Sequence, residues 1–263
     1  MKIIHLSDLH LVEKSKNSLY GIDPRFRLEM ALKSIEKNHS DAEFIAITGD
    51  LCDSPSLGIY EMLFNLLSEI KLPVYPILGN HDNREMFLKY FPNFKSGNFV
   101  QYSKKIAGST HIFIDTLVEN ASFGNLCKDR LAWLESKLNE SRDSFVYLYM
   151  HHHPISSGMH EMDNDANLKS SVEFWNLLKN YENIKHISFG HLHRIMHSVK
   201  QGISLHSTRS TTFQVAYILD DKIEYLTNEE NSTYAILDIN HDGDVRVHHH
   251  EFLNEDRYYL GDY

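Results

Sequence analysis

The chain is poor in the residues that would make it a stapled miniature domain or a membrane protein. Its 263 residues include only two cysteines, Cys52 and Cys127. They have neither metal-ligand spacing nor the density of a disulfide framework, which predicts reduced thiols in a cytoplasmic protein. No window approaches the roughly 20 apolar residues that span a bilayer, and the opening "MKIIHLSDLH" lacks the basic and long apolar regions of a signal peptide, so an unexported protein is expected. There is no tandem repeat, low-complexity tract or Pro/Gly/Ser linker to mark a domain boundary. A basic excess is missing as well: 26 Lys and Arg against 36 Asp and Glu give a formal charge of −10. That balance excludes a protein whose main task is gripping a nucleic-acid backbone. A small phosphorylated ligand stays admissible, because bound cations can reverse the local field.

What is present is an ordinary globular composition, 42% hydrophobic and 24% charged, in a chain long enough to bury a sizeable core. One elaborated domain over residues 1–263 is expected. The unusual count is 18 histidines, which directs attention to metal-ligand spacing.

Short apolar runs ending in polar clusters recur along the chain: "KIIHLSDLH", "EFIAITGDL", "VYPILGNHD", "SFVYLYMHHH" and "HISFGHLH". Each reads as a buried strand that stops at a polar turn. Between the first three lie helical patterns, Phe26, Met30, Leu32 and Ile35 in one, Leu63, Leu66, Leu67 and Ile70 in the next. Strand and helix in alternation imply a largely parallel sheet covered by helices. "THIFIDT" then reads as a strand, followed by a helix through Leu131, Trp133, Leu134 and Leu138 and another near Phe174 to Leu178. Trp133 and Trp175 are expected in the core. From about residue 194 the turn signals "KQGIS", "LDDKI" and "NHDGDV" predict hairpins, a strand-rich portion expected to complete a second sheet. Residues 156–167 form the best candidate for a loop that moves near the site.

The strand ends carry Asp8 and His10, Asp50, Asn80 and His81, His151, and His191 and His193. In an open sheet such ends meet along one edge, where ligands bind. Together they offer carboxylates, an amide oxygen and imidazoles without thiolate, a donor set that suits Zn, Mn, Fe, Co or Ni and is too large for one ion. In D-x-H and H-x-H, residues two apart point the same way on a strand, and a bridging Asp50 would divide the set into two sites. Any one of these pairs alone would be a solvated turn; five in register with five strand ends are not.

The ordered series "DLH", "GDL", "GNHD", "HHHP" and "GHLH" resembles the calcineurin-like metallophosphoesterase superfamily. Within it the chain is similar to bacterial class III cyclic nucleotide phosphodiesterases and related glycerophosphodiesterases. The likeness covers residues 1 to about 215, including "FGNLCKDRLAWLESKL" and "HHHPISSGMHEMD", the second resembling the family's substrate loop. It implies an α/β fold, a four-layer α-β-β-α sandwich with two central mixed sheets flanked by helices. It also implies one divalent metal held by Asp8, His10 and His193, a second held by Asn80, His151 and His191, and Asp50 bridging both. Their identity is open among Mn, Fe and Zn. His81 is then the non-ligand histidine facing the phosphate, and Asn80, His81 and His193 the substrate contacts. "HHHP" offers three histidines, and the resemblance, not the spacing, selects His151. His152 and His153 are either orienting groups or exposed, and His5 is a core histidine or one that orients a ligand. Arg209 stands where the family commonly has proline.

Two ions about 3.5–4 Å apart can hold a bridging water, lower its pKa and clamp an in-line displacement at phosphorus. His81 would stabilise the oxyanion or protonate the leaving group, and Asp50 would hold the ions together. Asp82 reads either as a helix N-cap or as a group that orients an imidazole, and Arg84 as a helix start or a phosphate contact. The resemblance implies hydrolysis of 3′,5′-cyclic nucleotides; a glycerophosphodiesterase or broad small-diester hydrolase is the alternative, and a non-catalytic scaffold a further one. The expected partner is a small phosphodiester, with no nucleic-acid polymer and no membrane, and a second copy of the chain stays open as a partner.

Overall fold

The computed structural model describes residues 1–16, 18–217, 227–228 and 230–253. The chain opens with β1 (Lys2–Leu6), α1 (Pro24–Asn38), β2 (Phe44–Thr48), α2 (Leu57–Ser68), β3 (Val74–Ile77) and α3 (Arg84–Tyr90). It continues with β4 (Tyr102–Ile106), β5 (Ser109–Phe113), α4 (Lys128–Asn139), β6 (Val146–Met150), α5 (His160–Asp165), α6 (Ser171–Leu178) and β7 (Ile184–Phe189). Strands follow: β8 (Met196–Lys200), β9 (Ile203–Ser207), β10 (Gln214–Val215), β11 (Thr227–Asn228), β12 (Thr233–Ile239) and β13 (Val245–Glu251).

The five apolar runs are β1, β2, β3, β6 and β7. Two mixed sheets result, one in the order β13-β12-β1-β2-β3 and one in the order β4-β5-β6-β7-β9-β8. β1, β2 and β3 pair in parallel, as do β5, β6, β7 and β9. Because parallel strands need a crossover on one face, helices cover each sheet from outside. Leu28, Leu32, Ile35, Leu63 and Leu67 of α1 and α2 pack with Ile4, Leu6, Ile45 and Ile47 on one side. Leu134, Leu138, Phe174 and Trp175 pack with Ile112, Leu148 and Ile187 on the other. Between the sheets lies an aromatic layer in which Phe113 stacks on Tyr149 and Tyr102, with ring centroids 4.6 and 4.7 Å apart.

The strand-rich portion after residue 194 departs from expectation. β8 and β9 do extend the second sheet, but that sheet is founded earlier, on β4 to β7, and β12 and β13 join the first sheet instead. The reason is β1: "KIIHL" is buried on both faces and is too apolar to stand as an edge, so β12 pairs antiparallel along it, Lys2 opposite Asp238. "KQGIS" makes the β8–β9 hairpin, with Gln201 and Gly202 both at positive φ. "NHDGDV" turns β12 into β13, whereas "LDDKI" lies outside the described residues. Phe26 is 52% exposed, off the buried stripe of α1. Trp175 is buried and donates to the Pro154 carbonyl at 2.7 Å, while Trp133 is half-buried against the same core. Cys52 and Cys127 are free thiols, and among the described residues no helix is long and apolar enough to cross a membrane.

Candidate metal centre

The chemistry sits where the strands stop. Asp8, His10, Asp50, His191 and His193 all have φ between 44° and 71°, a region that non-glycine residues seldom occupy and that surrounding structure must enforce. Here the turns enforce one another. The turn after β1 runs beside the turn after β2, with Asp8 N–H donating to Gly49 O at 3.0 Å and His10 N–H to Asp50 O at 2.9 Å. The His191 N–H donates to both oxygens of Asp8 at 3.1 Å, tying the end of β7 to the end of β1 across the two sheets. Gly79 is required by proximity: a Cβ there would overlap Asp50 Oδ1.

Two groups of donors converge. Asp8, His10, Asp50 and His193 form one cluster of mutually close ligand atoms; His10 Nε2 lies 3.0 Å from His193 Nε2 and 3.6 Å from Asp50 Oδ2. In the other, His151 Nε2 lies 3.1 Å from Asn80 Oδ1, 3.1 Å from His191 Nδ1 and 3.4 Å from Asp50 Oδ2. Asp50 therefore faces both.

The proton positions bear on what belongs there. His151 donates from Nδ1 to the Thr48 carbonyl at 2.7 Å, and His193 from Nδ1 to the Phe213 carbonyl at 2.8 Å. Each ring then turns its Nε2 inward, His151 toward the amide oxygen of Asn80 and toward Asp50. Ring nitrogens and an amide oxygen crowded against two buried carboxylates are a ligand set for a divalent cation, which would take the place of the proton on His151. The buried Nδ1 of His10 and Nε2 of His191 have no hydrogen-bond partner. Among the described residues Asp8 and Asp50 pair with histidines and with no lysine or arginine. Burial lowers the pKa of His151, but Asp50 and Asp8 override it and raise the value to about 9. Against burial, His151 and His81 hold Asp50 well below the ordinary carboxylate range. Burial, reinforced by the neighbouring histidines, drives His10 and His191 well below the imidazole value, so both are neutral. The residues present fit metal.

His81 belongs to neither of these two groups, although its ligand atom lies close to those of His10 and Asp53 in a third set. Its Nδ1 donates to the Asp53 carbonyl at 2.8 Å, its backbone N–H donates to Asp50 Oδ1 at 3.0 Å, and its ring packs 4.9 Å from His10. With Asn80, Asp50, His10, His191 and His193 it lines a cavity of about 360 Å³. The opposite wall is apolar: Tyr20, Met162, Ala166, Phe213 and Val215. Of these, Met162 and Ala166 lie in the 156–167 segment singled out from the sequence; Tyr20 and Phe213 reach the cavity from distant segments, with ring centroids 5.1 Å apart.

Asp82 has another duty than those read from sequence, and Arg84 meets the first of its two readings, the helix start. Asn83, not Asp82, caps α3. Asp82 orients no imidazole; its Oδ2 accepts from Leu51 N at 3.1 Å and Gly79 N at 2.9 Å, clamping the turns that carry Asp50 and Asn80. Arg84 begins α3 and pairs with the buried Asp115, Nε to Oδ2 at 2.7 Å, instead of facing the cavity. His152 and His153 are both buried. His152 shares a hydrogen bond of 2.7 Å with the Thr116 hydroxyl and lies near His151 and His191. His153 pairs with Asp163 at 3.3 Å. Asp163 also accepts from the backbone of Ser157 and Gly158, bracing residues 156–167 around α5. His160 is exposed on α5, outside the cavity wall.

Comparison with known proteins agrees with this geometry. The family model described as calcineurin-like phosphoesterase matches residues 1–194. A probable cyclic nucleotide phosphodiesterase of Rhodopseudomonas palustris is 33% identical, over 96% of this chain and 93% of its own. A probable glycerophosphodiester phosphodiesterase of Arcobacter nitrofigilis is 29% identical, over 86% of this chain and 85% of its own. In fold, the chain is similar to a dimetal phosphatase from Danio rerio, with a TM-score of 0.68 at 12% identity, covering 90% of this chain and 91% of that one.

Proposed function

The chain belongs to the calcineurin-like phosphoesterase family and is a phosphoric diester hydrolase, and on that premise we propose that it is a dinuclear metal enzyme that opens 3′,5′-cyclic nucleotides. The observation that carries the dinuclear reading is Asp50, whose Oδ2 lies 3.6 Å from His10 Nε2 on one side and 3.4 Å from His151 Nε2 on the other. Asp8, His10 and His193 would hold one divalent ion, Asn80, His151 and His191 the other. The oxygen and nitrogen donors suit Mn, Fe or Zn. Metal bound there would supply Lewis-acid polarisation of the phosphoryl group and a lowered pKa for the attacking water.

The chain's own residues do the rest. Asn80 contributes a neutral oxygen, which adds no charge against an anionic diester. The Asp53 carbonyl fixes the His81 ring by its Nδ1–H, leaving Nε2 for the substrate. Burial lowers the pKa of His81, but Asp50 and the Asp53 carbonyl together raise it above the ordinary imidazole value. A protonated ring at that position can donate to the departing alkoxide or to the phosphoryl oxygen. The apolar wall of Tyr20, Met162 and Phe213 would cover a flat base and excludes water from one side of the cavity. A free Cys52 and Cys127 support a reducing, cytoplasmic setting. The glycerophosphodiesterase relative keeps a second reading, in which the same centre accepts a smaller leaving group.

Initial rates of metal-stripped protein reloaded with Mn²⁺, measured side by side on cyclic AMP, glycerophosphocholine and bis(p-nitrophenyl) phosphate, separate these readings. Preference for cyclic AMP is expected. Activity confined to the synthetic diester would discard the cyclic nucleotide and keep the metal chemistry.

A further inference from the structure

A chain of hydrogen bonds crosses the molecule behind the metal centre and includes none of its ligands until the last step. His186 on β7, His206 on β9 and His5 on β1 are all buried. His186 Nε2 lies 2.6 Å from His206 Nδ1, His206 Nε2 lies 2.9 Å from His5 Nδ1, and His5 Nε2 lies 2.7 Å from Thr48 Oγ1. Thr48 Oγ1 then meets Ser7 Oγ at 2.8 Å. The Ser7 hydroxyl donates to the Thr48 carbonyl at 3.3 Å. At the far end His186 Nδ1 meets Ser204 Oγ at 3.0 Å, and Ser204 meets the exposed His197 at 3.4 Å.

Counting donors from the acceptor-only end places every proton. A carbonyl can only accept, so the single proton of Ser7 points at the Thr48 oxygen. Ser7 Oγ must then accept from Thr48, and Thr48 Oγ1 must accept from His5 Nε2–H. A neutral imidazole has one proton, so His5 Nδ1 accepts from His206 Nε2–H, and His206 Nδ1 from His186 Nε2–H. Ser204 closes the series by donating to His186 Nδ1. Neutrality follows from burial, which pushes His5 and His186 down to about 3 and His206 well below the imidazole value.

We infer that His186, His206 and His5 are positioning residues: as three Nε2–H tautomers they form a one-way chain that holds the Ser7 proton on the Thr48 carbonyl and so fixes the group that orients His151, a ligand of the metal centre. The inference rests on the reading of His151 as a ligand. Thr48 couples the chain to the second cluster, because its carbonyl accepts from His151 Nδ1. Removing the middle ring lets the series reverse. His5 is then free to carry its proton on Nδ1, Thr48 donates to His5 Nε2, Ser7 donates to Thr48 Oγ1, and the Thr48 carbonyl loses a donor. Groups that orient metal ligands in this way are worth about 10- to 100-fold in metal affinity.

Two measurements test it. Long-range ¹H–¹⁵N spectra of the metal-free protein, with the three rings assigned by single His→Phe variants, should show neutral Nε2–H tautomers at pH 7. An Nδ1–H tautomer or a charged ring among the three overturns the inference without any variant needing to bind metal. Mn²⁺ titration should then give a Kd weaker by about 10- to 100-fold for His206→Phe and for Ser7→Ala, with His206→Gln restoring affinity because one amide both donates and accepts. His111→Phe, buried but off the chain, should bind as the wild type does. Wild-type affinity in both Ser7→Ala and His206→Phe overturns the role assigned to the chain. A wild-type protein that binds no Mn²⁺ overturns the metal-centre reading, and this role with it, even where the tautomers are as expected.

Discussion

His81 is the residue on which metal holding and catalysis part company. It packs against His10 without joining either donor group, so His81→Ala should leave bound metal unchanged while lowering kcat by on the order of 10² or more, the scale of one acid or oxyanion contribution. Metal content and turnover on the same sample check this, and wild-type turnover would remove His81 from the mechanism. A second histidine reports on stability alone. His111 lies between the sheets, stacked on Tyr147, and burial lowers its pKa to about 3. Its folded value is below its unfolded value near 6.5, so the unfolded chain takes up a proton first as pH falls. The stability it contributes is complete above pH 6.5 and is lost progressively toward pH 3. Urea unfolding of His111→Phe should therefore show a shallower decline across that window than the wild type, whatever its stability at neutral pH. An unchanged slope would mean that His111 is not buried as a neutral ring. At this scale the sequence exposes the residues that have a motif around them, Asp8, His10, Asp50, Asn80 and His81 among them. It does not expose the duty of Asp82 or Arg84, because their partners Leu51 and Asp115 are each 31 residues away.

The element that makes the centre is the turn after a strand. Buried runs such as "FIAIT" must end before the polar residues begin, so the register of chemistry with strand ends is readable from hydrophobic pattern alone. Left-handed turns are less readable, because Asp8, His10, Asp50, His191 and His193 adopt them against their own preference and only packing between turns holds them there. Gly79 shows how little slack is left. Gly79→Ala would place a Cβ on Asp50 Oδ1, with the Asp50 backbone and His151 also in the way. The substitution should abolish Mn²⁺ binding, read by titration calorimetry, while the helices away from the edge keep their far-ultraviolet signal. Full-affinity binding would show that the turns can part. The histidine run after β6 marks the limit of reading at this level. Spacing presents His151, His152 and His153 as equivalents, and only the fold distinguishes a ring between Asn80 and Asp50 from one bonded to Thr116 and one beside Asp163.

Across the whole molecule, two sheets bring five turns from distant parts of the chain to one edge. Local patterns predict the strands and the helices over them, yet sheet membership is settled by pairings hundreds of residues apart. The return of β12 to β1, closing Lys2 on Asp238, answers the exposed edge of an apolar strand and has no local signature. The apolar cavity wall is hidden for the same reason, since Tyr20 and Phe213 meet only in the fold. A cation shared by turns from both sheets should brace them together, so metal-loaded protein should be the more stable form by mass action, about 2.7 kcal/mol at a hundredfold excess over Kd.

The central claim is that Asp50 divides these donors into two sites. The measurement that tests it most directly is the metal content of Mn²⁺-saturated protein after removal of free metal, with the chain concentration set by amino-acid analysis. The account predicts about two ions per chain, as a two-metal clamp requires, and loss of both in Asp50→Ala. One ion per chain in the wild type, or two retained in Asp50→Ala, would contradict it.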